Sequence, residues 1–377
     1  MAYKYKHFIP QNTAPSGATS IKVYDGNKEI CTIPLGRMTP PTGTKRYSFG
    51  LVSDIHLWSS DSSAYGYSNS KFQNALSYFE DKEKGDCGFC IVCGDITVTG
   101  LHTSIDDTIA NAQFDDGQFS AYETICKDCT IPVYELMGNH ESYYSRPVTK
   151  NLSEMGKYSC NNKLFYTIEQ GNDLYIFLGQ PEGEVVMVDD NYINGNGNYI
   201  NSSDDRKELN DDYGALKTLL SNSQDKRCFV FVHSYIAGNS DRYKDYKNDS
   251  GNPLNNHEYP LFDSWGHTNE FVNELAKYDN VVLFHGHSHI HFSTQEQVKH
   301  AIYSHNLGFH SVHVPSLANG RKIVQEDGKY KLEKKNTQYS LGYLVDVYDD
   351  CIVLNGIDFT TNSPVPIGTY KIDISTK

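Results

Sequence analysis

Short apolar runs recur along the chain from about residue 46, and polar segments separate them. Their length and their content of β-branched and aromatic residues indicate buried strands. Residues 70–84 and 212–226 lie between such runs and carry apolar side chains at helical spacing. Strands that alternate with helices predict an α/β fold in which helices pack on sheets. The apolar runs cover residues 47–53, 88–93, 131–137, 173–179, 227–232 and 280–284.

The pattern becomes mostly β towards the C-terminal end of the chain. Residues 339–359 contain two apolar stretches on either side of Asp349 and Asp350, which predicts a hairpin with its turn at these two residues. Residues 310–318 and 368–374 also have the composition of strands. A β-rich tail is therefore expected after the α/β part.

Residues 1–45 differ in character from the rest of the chain. Apolar and polar residues alternate on both sides of the sequence DGN at 25–27, which is typical of a β-hairpin. A connector rich in Pro and Gly follows at 37–46. We predict a small N-terminal β-hairpin element with its linker, residues 1–45, and a main domain, residues 46–377, that includes the β-rich tail.

The composition indicates a globular protein with an acidic surface. Of the 377 residues 38% are hydrophobic, and the formal net charge is -14. This charge disfavours a nucleic-acid polymer as partner, because binding one requires a basic surface. It is compatible with a phosphoester substrate at a locally positive metal site. No apolar stretch is long enough to span a membrane and the first residues have no apolar region of the signal-peptide type, so we expect a cytoplasmic protein or one carried on a virion.

Two pairs of cysteines have the spacing of a zinc site. Cys87 and Cys90 form one pair, and Cys126 and Cys129 form the other. Cys90 lies inside an apolar run, where cysteine behaves as a small hydrophobic residue. The odd total of nine cysteines indicates reduced thiols, and we favour core packing over structural zinc for these four.

Polar side chains that bind metals follow five of the apolar runs directly. Since the carboxyl ends of strands form the ligand crevice of open α/β sheets, these side chains are expected to converge. Their mixture of nitrogen and oxygen atoms favours Mn, Fe or Zn over Ca²⁺. Four histidines at alternate positions, within residues 285–291, add to the set. In chain order the strand-end residues are Asp54, His56, Asp95, Asn139, His140, His233, His287 and His289.

The order of these short motifs resembles the calcineurin-like metallophosphoesterase superfamily. The motifs are Asp-x-His at 54–56, Gly-Asp at 94–95, Gly-Asn-His-Glu at 138–141, His233, and Gly-His-x-His at 286–289. The resemblance covers residues 47 to about 290. It implies a four-layer αββα sandwich of two mixed β-sheets flanked by helices, with a metal site at the C-terminal ends of the strands.

The resemblance also implies a role for each strand-end residue. Two divalent or trivalent metal ions, Mn, Fe or Zn, would be bridged by Asp95. His140 would be the catalytic acid–base residue, whereas His285 and His291 are expected to have structural or outer-shell roles. One ion would further be held by Asp54, His56 and His289, and the other by Asn139, His233 and His287.

This ligand set predicts a metal-dependent phosphoester hydrolase. Two close cations can hold a bridging hydroxide that attacks phosphorus in line, while His140 protonates the leaving group. The sequence GDITVTG at 94–100 resembles class III cyclic-nucleotide phosphodiesterases, so a phosphodiester is slightly preferred over a phosphomonoester. It lacks the arginine of Ser/Thr protein phosphatases, and Val98 stands where purple acid phosphatases have a ligating tyrosine.

An alternative hypothesis is a phage-particle module with the same fold. The N-terminal hairpin pattern, the polar loops and 28 tyrosines motivate it. Such a module would be structural or would degrade a polymer such as teichoic acid, and its partners would be phage-particle proteins.

The predicted loops contain polar residues whose role the sequence leaves open between the site and the protein surface. The loop 238–268 contains Tyr, Phe and Trp, so it could be either a lid or a solvated insertion. The loop 181–213 contains no recognisable motif. Arg146 has the chemistry to clamp a phosphate, although a surface position is favoured. From these loops the site could also be faced by His102, His257, Asp263 and His267, although a surface position is favoured for each.

Overall fold

Two mixed β-sheets pack face to face at the centre of the fold, and helices cover their outer faces. These elements are seen in a computed structural model. The structure describes residues 20–25, 28–34, 40–57, 69–97, 118–138, 140, 165–179, 214–233, 268–292, 303–304, 308–326, 329–332 and 336–374. The predicted loop 181–213 and residues 238–267 lie outside the described residues.

The first sheet has seven strands and combines early and late parts of the chain. Strands β3, β4 and β5 run parallel, and β14 pairs antiparallel with the free edge of β3. The predicted hairpin around Asp349 and Asp350 is confirmed as β14–β15. The sheet order is β16-β15-β14-β3-β4-β5, with β17 also on β15. The bounds are β3 Lys45–Val52, β4 Phe89–Cys93, β5 Val133–Leu136, β14 Leu341–Tyr348, β15 Cys351–Asp358, β16 Ser363–Pro364 and β17 Tyr370–Asp373.

The second sheet has six strands, in the order β10-β11-β9-β8-β7-β6. Its four inner strands run parallel, and the two edge strands are antiparallel to their neighbours. The six apolar runs of the sequence are all strands of these two sheets. The bounds are β6 Phe165–Gln170, β7 Asp173–Leu178, β8 Arg227–Val232, β9 Val281–His285, β10 Tyr303–Ser304 and β11 His310–His313.

Aromatic side chains fill the space between the two sheets. Phe49 of β3 lies edge-on to Tyr175 of β7, with ring centroids 5.5 Å apart, and 6.3 Å from Phe229 of β8. Alternate residues on β7, such as Ile176, face away and pack under the outer helices. Because both faces of the central strands are buried, these strands are continuously apolar rather than alternating.

Four helices among the described residues form the outer layers, which completes the predicted αββα sandwich. On the first sheet lie α1, Asn69–Glu80, and α2, residues 118–127; Phe72 and Tyr122 stack between them at 5.8 Å. On the second sheet lie α3, residues 214–222, and α4, Thr268–Leu275. No helix among the described residues is long and apolar enough to cross a membrane.

A buried ion pair ties the two sheets together at the amino ends of β7 and β8. The guanidinium of Arg227 donates to both carboxylate oxygens of Asp173, at 2.5 and 2.7 Å. Tyr47 of the first sheet donates its hydroxyl to Asp173, and Arg227 also donates to the carbonyl of Tyr348. This network lies at the opposite ends of these strands from the strand-end polar residues.

Two further strand pairs lie outside the main sheets. Strands β1, Ser20–Asp25, and β2, Lys28–Pro34, pair antiparallel as the hairpin pattern predicts. Strands β12, Ile323–Glu326, and β13, Lys329–Leu332, form a second antiparallel pair that the pattern did not predict. The division of the chain into units 1–45 and 46–377 stays a prediction.

The four cysteines with zinc-site spacing agree with core packing. Cys87 and Cys90 are buried, and Cys126 and Cys129 are half-buried. Burial raises the pKa of all four thiols. Across the described ranges, no group of potential metal-ligand atoms includes any of them.

Candidate metal centre

The site lies where the chain leaves the carboxyl ends of the central strands. Among the described residues, seven non-glycine residues have a positive φ, and five of these are strand-end residues predicted to bind metal. This conformation costs energy for residues with a side chain, and it persists only where the surroundings fix it. The five residues are Asp54 (51°), His56 (45°), Asp95 (52°), His287 (72°) and His289 (57°).

Backbone hydrogen bonds hold these strand ends together. The amide of Asp54 donates to the carbonyl of Gly94, and the amide of His56 donates to that of Asp95, both at 3.0 Å. In the second sheet the amide of Gly286 donates to the carbonyl of His233 at 3.0 Å. The positions of the side chains are therefore set by the backbone of both sheets.

Four side chains form a first cluster of potential ligands: Asp54, His56, Asp95 and His289. One ligand atom from each lies within 4.8 Å of the others. Nε2 of His289 is 3.0 Å from Oδ1 of Asp54 and 3.2 Å from Nε2 of His56. All four residues are buried, so water does not compensate for the close approach of these atoms.

A second cluster shares Asp95 with the first. Asp95, His233 and His287 have ligand atoms within 4.8 Å of one another. Oδ2 of Asp95 lies 3.2 Å from Nε2 of His233 and 3.9 Å from Nε2 of His56, which belong to different clusters. One carboxylate thus lies between two groups of imidazoles, an arrangement that can hold two cations on a shared ligand.

The outer ring nitrogens of three histidines contact backbone carbonyls. Nδ1 of His56 lies 3.1 Å from the carbonyl of Thr97, and Nδ1 of His233 lies 2.8 Å from that of Cys93. Nδ1 of His289 lies 3.2 Å from the carbonyl of Asn319. A carbonyl only accepts, so each Nδ1 carries the hydrogen and each Nε2 is directed towards the clusters. This is the ring arrangement of histidines that bind a metal through Nε2.

The charges of the site also fit a cation. Burial alone would raise the pKa of Asp54, but the imidazoles of His289 and His233 outweigh it and hold the pKa well below its usual range. Burial would lower the pKa of His233, but Asp95 raises it to about 10. Oδ1 of Asp54 is buried and lies 3.0 Å from Nε2 of His289. A cation would satisfy this oxygen and replace the proton of His233.

Three glycines leave the space that the ligands occupy. A Cβ atom on Gly138 would lie 2.3 Å from Oδ1 of Asp95, and one on Gly286 would lie 2.9 Å from Oδ2 of Asp54. Gly94 has a φ of 81°, and its Cβ would lie 2.5 Å from Nδ1 of His233. The glycines of the three motifs are therefore required by close approach to ligand side chains.

His140 lies beside the shared carboxylate. Its amide donates to Oδ1 of Asp95 at 2.9 Å, and its Nε2 is 3.7 Å from Oδ2. Its ring lies 4.7 Å from the ring of His56, nearly perpendicular to it. His140 therefore reaches the edge of the site without belonging to either group of ligand atoms.

The structure brings together six of the seven predicted metal ligands, and their roles stay predictions. Asn139 lies outside the described residues, as do Val98, Arg146, His102, His257, Asp263 and His267. His285 and His291 join neither cluster. His285 packs 5.4 Å from the ring of His313, and His291 packs 4.5 Å from the ring of Tyr339.

Sequence reasoning missed the residues that support the ligands from the C-terminal part of the chain. Asn319 contacts the ring of His289, and Ser316 contacts the backbone of Asp54. Asn319 directly follows the apolar run 310–318 and Ser316 lies within it, so the run marks their position, but the contact of Asn319 with His289 is visible only in the folded chain.

Comparisons with known proteins found several solved structures to which this chain is similar. A purple acid phosphatase from yellow lupin (Lupinus luteus) seeds is 14% identical, with a TM-score of 0.43; the match covers 90% of this chain and 56% of the lupin chain. The phosphopantetheinyl hydrolase of Mycobacterium tuberculosis is 11% identical, with a TM-score of 0.35 and coverage of 73% and 91%. A search of curated proteins found no match.

A third solved structure is a predicted phosphoesterase from Streptococcus pneumoniae. It is 10% identical, with a TM-score of 0.33 and coverage of 87% of this chain and 97% of that one. The family model described as calcineurin-like phosphoesterase matches residues 47–291, which is most of the chain and includes every predicted ligand. The chain therefore belongs to the calcineurin-like phosphoesterase family, and it is a metal-dependent phosphoesterase.

Proposed function

We propose that this phosphoesterase is a dinuclear enzyme that hydrolyses a phosphodiester in preference to a phosphomonoester. The observation that carries the proposal is the position of Asp95, whose carboxylate belongs to both clusters of ligand atoms. A carboxylate shared in this way is what two-metal phosphoesterases require. The ions would be Mn, Fe or Zn, because the clusters combine imidazole nitrogen with carboxylate oxygen.

The residues of the two clusters would divide between the two ions. Asp54, His56 and His289 would hold the first with Asp95, and His233 and His287 would hold the second with the same carboxylate. Asn139 is proposed as a further ligand of the second ion on the sequence motif alone. When bound, the ions supply a hydroxide nucleophile at neutral pH and offset the charge of the phosphate.

His140 would act as the general acid. Its backbone is fixed to Oδ1 of Asp95 and its ring lies at the edge of the clusters, so the imidazole can reach a substrate bound there. A histidine in this place donates a proton to the leaving oxygen, which otherwise departs as an unstable alkoxide. The same ring would hold the substrate phosphate by a hydrogen bond before the bond breaks.

The preference for a diester rests on the turn after Asp95. Residues 94–100 resemble the corresponding turn of class III cyclic-nucleotide phosphodiesterases. Val98 replaces an acidic residue of that pattern, so the resemblance supports a diester but does not favour a cyclic nucleotide. The net charge of -14 supports a small or medium substrate over a nucleic-acid polymer.

A phage-particle enzyme that degrades a phosphodiester polymer is the alternative. The antiparallel pair β1–β2 supports it, because this pair precedes the family-matched residues and is not part of either main sheet. Sedimentation of the protein together with purified particles would favour this alternative over a cytoplasmic enzyme. A protein that stays in the supernatant would favour the cytoplasmic location.

The decisive experiment combines elemental analysis with a phosphoester panel. The purified protein should contain two metal ions per chain and cleave bis(p-nitrophenyl) phosphate faster than p-nitrophenyl phosphate. Asp95→Asn should lose metal and activity, because it weakens the shared ligand. The matched control is Asp225→Asn, the same change at an exposed position. A metal-loaded protein that cleaves neither ester would refute the proposal.

A further inference from the structure

A short segment outside the family-matched residues braces the first cluster. This segment, residues 316–319, runs alongside the start of the Asp-x-His motif. The amide of Leu317 donates to the carbonyl of Ser53 at 2.9 Å, and the amide of Ala318 donates to that of Asp54 at 3.2 Å. The hydroxyl of Ser316 donates to the same Asp54 carbonyl at 3.0 Å. The segment therefore helps to hold the strained backbone of Asp54.

The same segment contacts the opposite side of the cluster through Asn319. Oδ1 of this side chain lies 2.7 Å from Nδ1 of His289, and the backbone carbonyl of Asn319 lies 3.2 Å from the same nitrogen. The amide of Asn319 donates to Oγ of Ser316 at 3.0 Å. One fully buried residue thus accepts from His289 and is itself fixed to the hydroxyl that contacts Asp54.

The remaining polar atom of Asn319 indicates a purpose other than stability. Nδ2 is buried, and it has no hydrogen-bond acceptor in the part of the chain that the structure describes. A buried amide without an acceptor costs about 1–3 kcal/mol. A leucine of similar size would avoid this cost. The asparagine is therefore explained better by its contact with His289 than by its contribution to folding.

Lys71 of α1 fixes the segment from the outside. Its ammonium donates to the carbonyls of Ala318 and Thr337, and to the carbonyl of Tyr339 at 3.0 Å. Three carbonyls from two stretches of chain thus meet at one cation. The contact prevents the segment from moving away from the cluster without breaking charge-assisted hydrogen bonds.

We propose that Asn319 is a positioning residue for His289. Its carboxamide oxygen keeps the hydrogen on Nδ1 and orients the ring, so that Nε2 is directed at the first ion. The inference rests on the proposed metal centre and deepens it, because it adds a residue beyond position 291 to the machinery of the first cluster. Partners of this kind typically change metal affinity by roughly 10–100-fold.

The test is a zinc titration of the full chain against a fluorescent chelator, which resolves two binding steps. Asn319→Leu removes the acceptor and should weaken one step about ten-fold or more, while the other step changes less than about two-fold. Asn319→Asp retains an acceptor oxygen and should restore the wild-type affinity of that step. The control is Asn280→Leu, which removes a buried carboxamide that bonds the carbonyls of Ser223 and Lys226 at the amino end of β9. It should lower stability and leave both steps unchanged.

The outcomes separate this inference from the proposed function. If the wild-type protein binds no zinc, the metal centre itself is refuted and the inference with it. If the wild type binds two ions and Asn319→Leu binds them equally well, only the positioning role is refuted. Should Asn319→Leu fail to fold, Asn319→Ala serves as the second loss variant. The Asn319→Asp variant then provides the test, because weakened zinc binding in this variant would also refute the positioning role.

Discussion

Nε2 of His56 and Nε2 of His289 lie 3.2 Å apart, although 233 residues separate the two histidines along the chain. When both rings are neutral and carry the hydrogen on Nδ1, which faces an oxygen acceptor in each, the lone pairs of the two Nε2 atoms face each other. Neighbouring lone pairs repel, and the surrounding protein must hold them in place. A cation between them turns this repulsion into two bonds, which is why the pair is the plainest sign of a metal site in the fold.

His140→Ala should reduce activity while leaving both metal ions bound. The ring of His140 lies at the edge of the clusters and belongs to neither group of ligand atoms, and its backbone amide, which the substitution preserves, donates to Asp95. Loss of a general acid typically costs about 10²–10⁴-fold in rate, and more for a poor leaving group. The measurement compares kcat for a nitrophenyl ester and an alkyl ester. An equal loss for both esters, or loss of metal, would contradict the assigned role.

Gly138→Ala should weaken the binding of both ions together. The new methyl group would lie 2.3 Å from Oδ1 and 2.4 Å from the amide nitrogen of Asp95, so the shared ligand must move. We expect at least about a ten-fold loss of affinity in each step of a zinc titration, together with a stability loss of about 1–3 kcal/mol from overpacking.

The control for this variant is Gly214→Ala on α3. A Cβ atom at Gly214 would contact no other side chain within 4 Å in the part of the chain that the structure describes. Zinc binding should therefore stay unchanged. Unchanged binding in Gly138→Ala as well would show that Asp95 does not serve both ions.

Removing one partner of the buried pair Asp173–Arg227 should lower the free energy of unfolding strongly, whereas replacing both residues together should lower it much less. Either Asp173→Leu or Arg227→Leu leaves one charge buried without its partner, and about 3–5 kcal/mol of unfolding free energy should be lost. The double variant should lose much less than the sum, as urea unfolding will measure. Lys82→Ala, which breaks the exposed pair with Asp86, should cause no measurable change. Additive losses would contradict this account.

His313 should make the protein less stable in acid. Burial lowers the pKa of His313 to about 3, although Asp54 acts in the opposite direction. In the unfolded chain a histidine titrates near roughly 6.5, so below that pH unfolding takes up a proton. The free energy of unfolding therefore falls as the pH falls from about 6.5 towards about 3.

The matched variant is His313→Gln, which can still bond Oγ of Ser288 but does not titrate. Urea unfolding of the metal-free protein at pH 6.5 and 4.5 provides the comparison. The stability lost between these values should be smaller in the variant by about 2–3 kcal/mol. The same loss in both proteins would mean that His313 is already accessible to protons in the folded state.

The sequence predicted the parts of the fold that are encoded locally. Strands such as β8, Arg227–Val232, are apolar throughout because both faces are buried, so their runs are unmistakable. Strand β6, Phe165–Gln170, was not predicted: it is an edge strand with mostly exposed or half-buried residues and no long apolar run. The site residues were predictable because they follow the strongest runs.

The pairing of distant strands was not readable from local pattern. The local sequence of β3 does not predict that Phe49 pairs with Val345 of β14, almost three hundred positions later. The division of the strands between two sheets came from the family resemblance rather than from periodicity. Asn319 was missed for a related reason, since its importance depends on a contact with His289 that only the folded chain creates.

The place of β14 beside β3 also bears on how the protein is made. Until residues 341–348 are available, one edge of β3 has no strand partner, and the turn that carries Asp54 is not braced by residues 316–319. Synthesis runs from the N-terminal end, and domains fold as they emerge from the ribosome. A nascent chain of this protein thus carries every predicted metal ligand before the strand that pairs with the open edge of β3 has been made, so we expect metal binding and hydrolysis only after residues 341–348 have been synthesised.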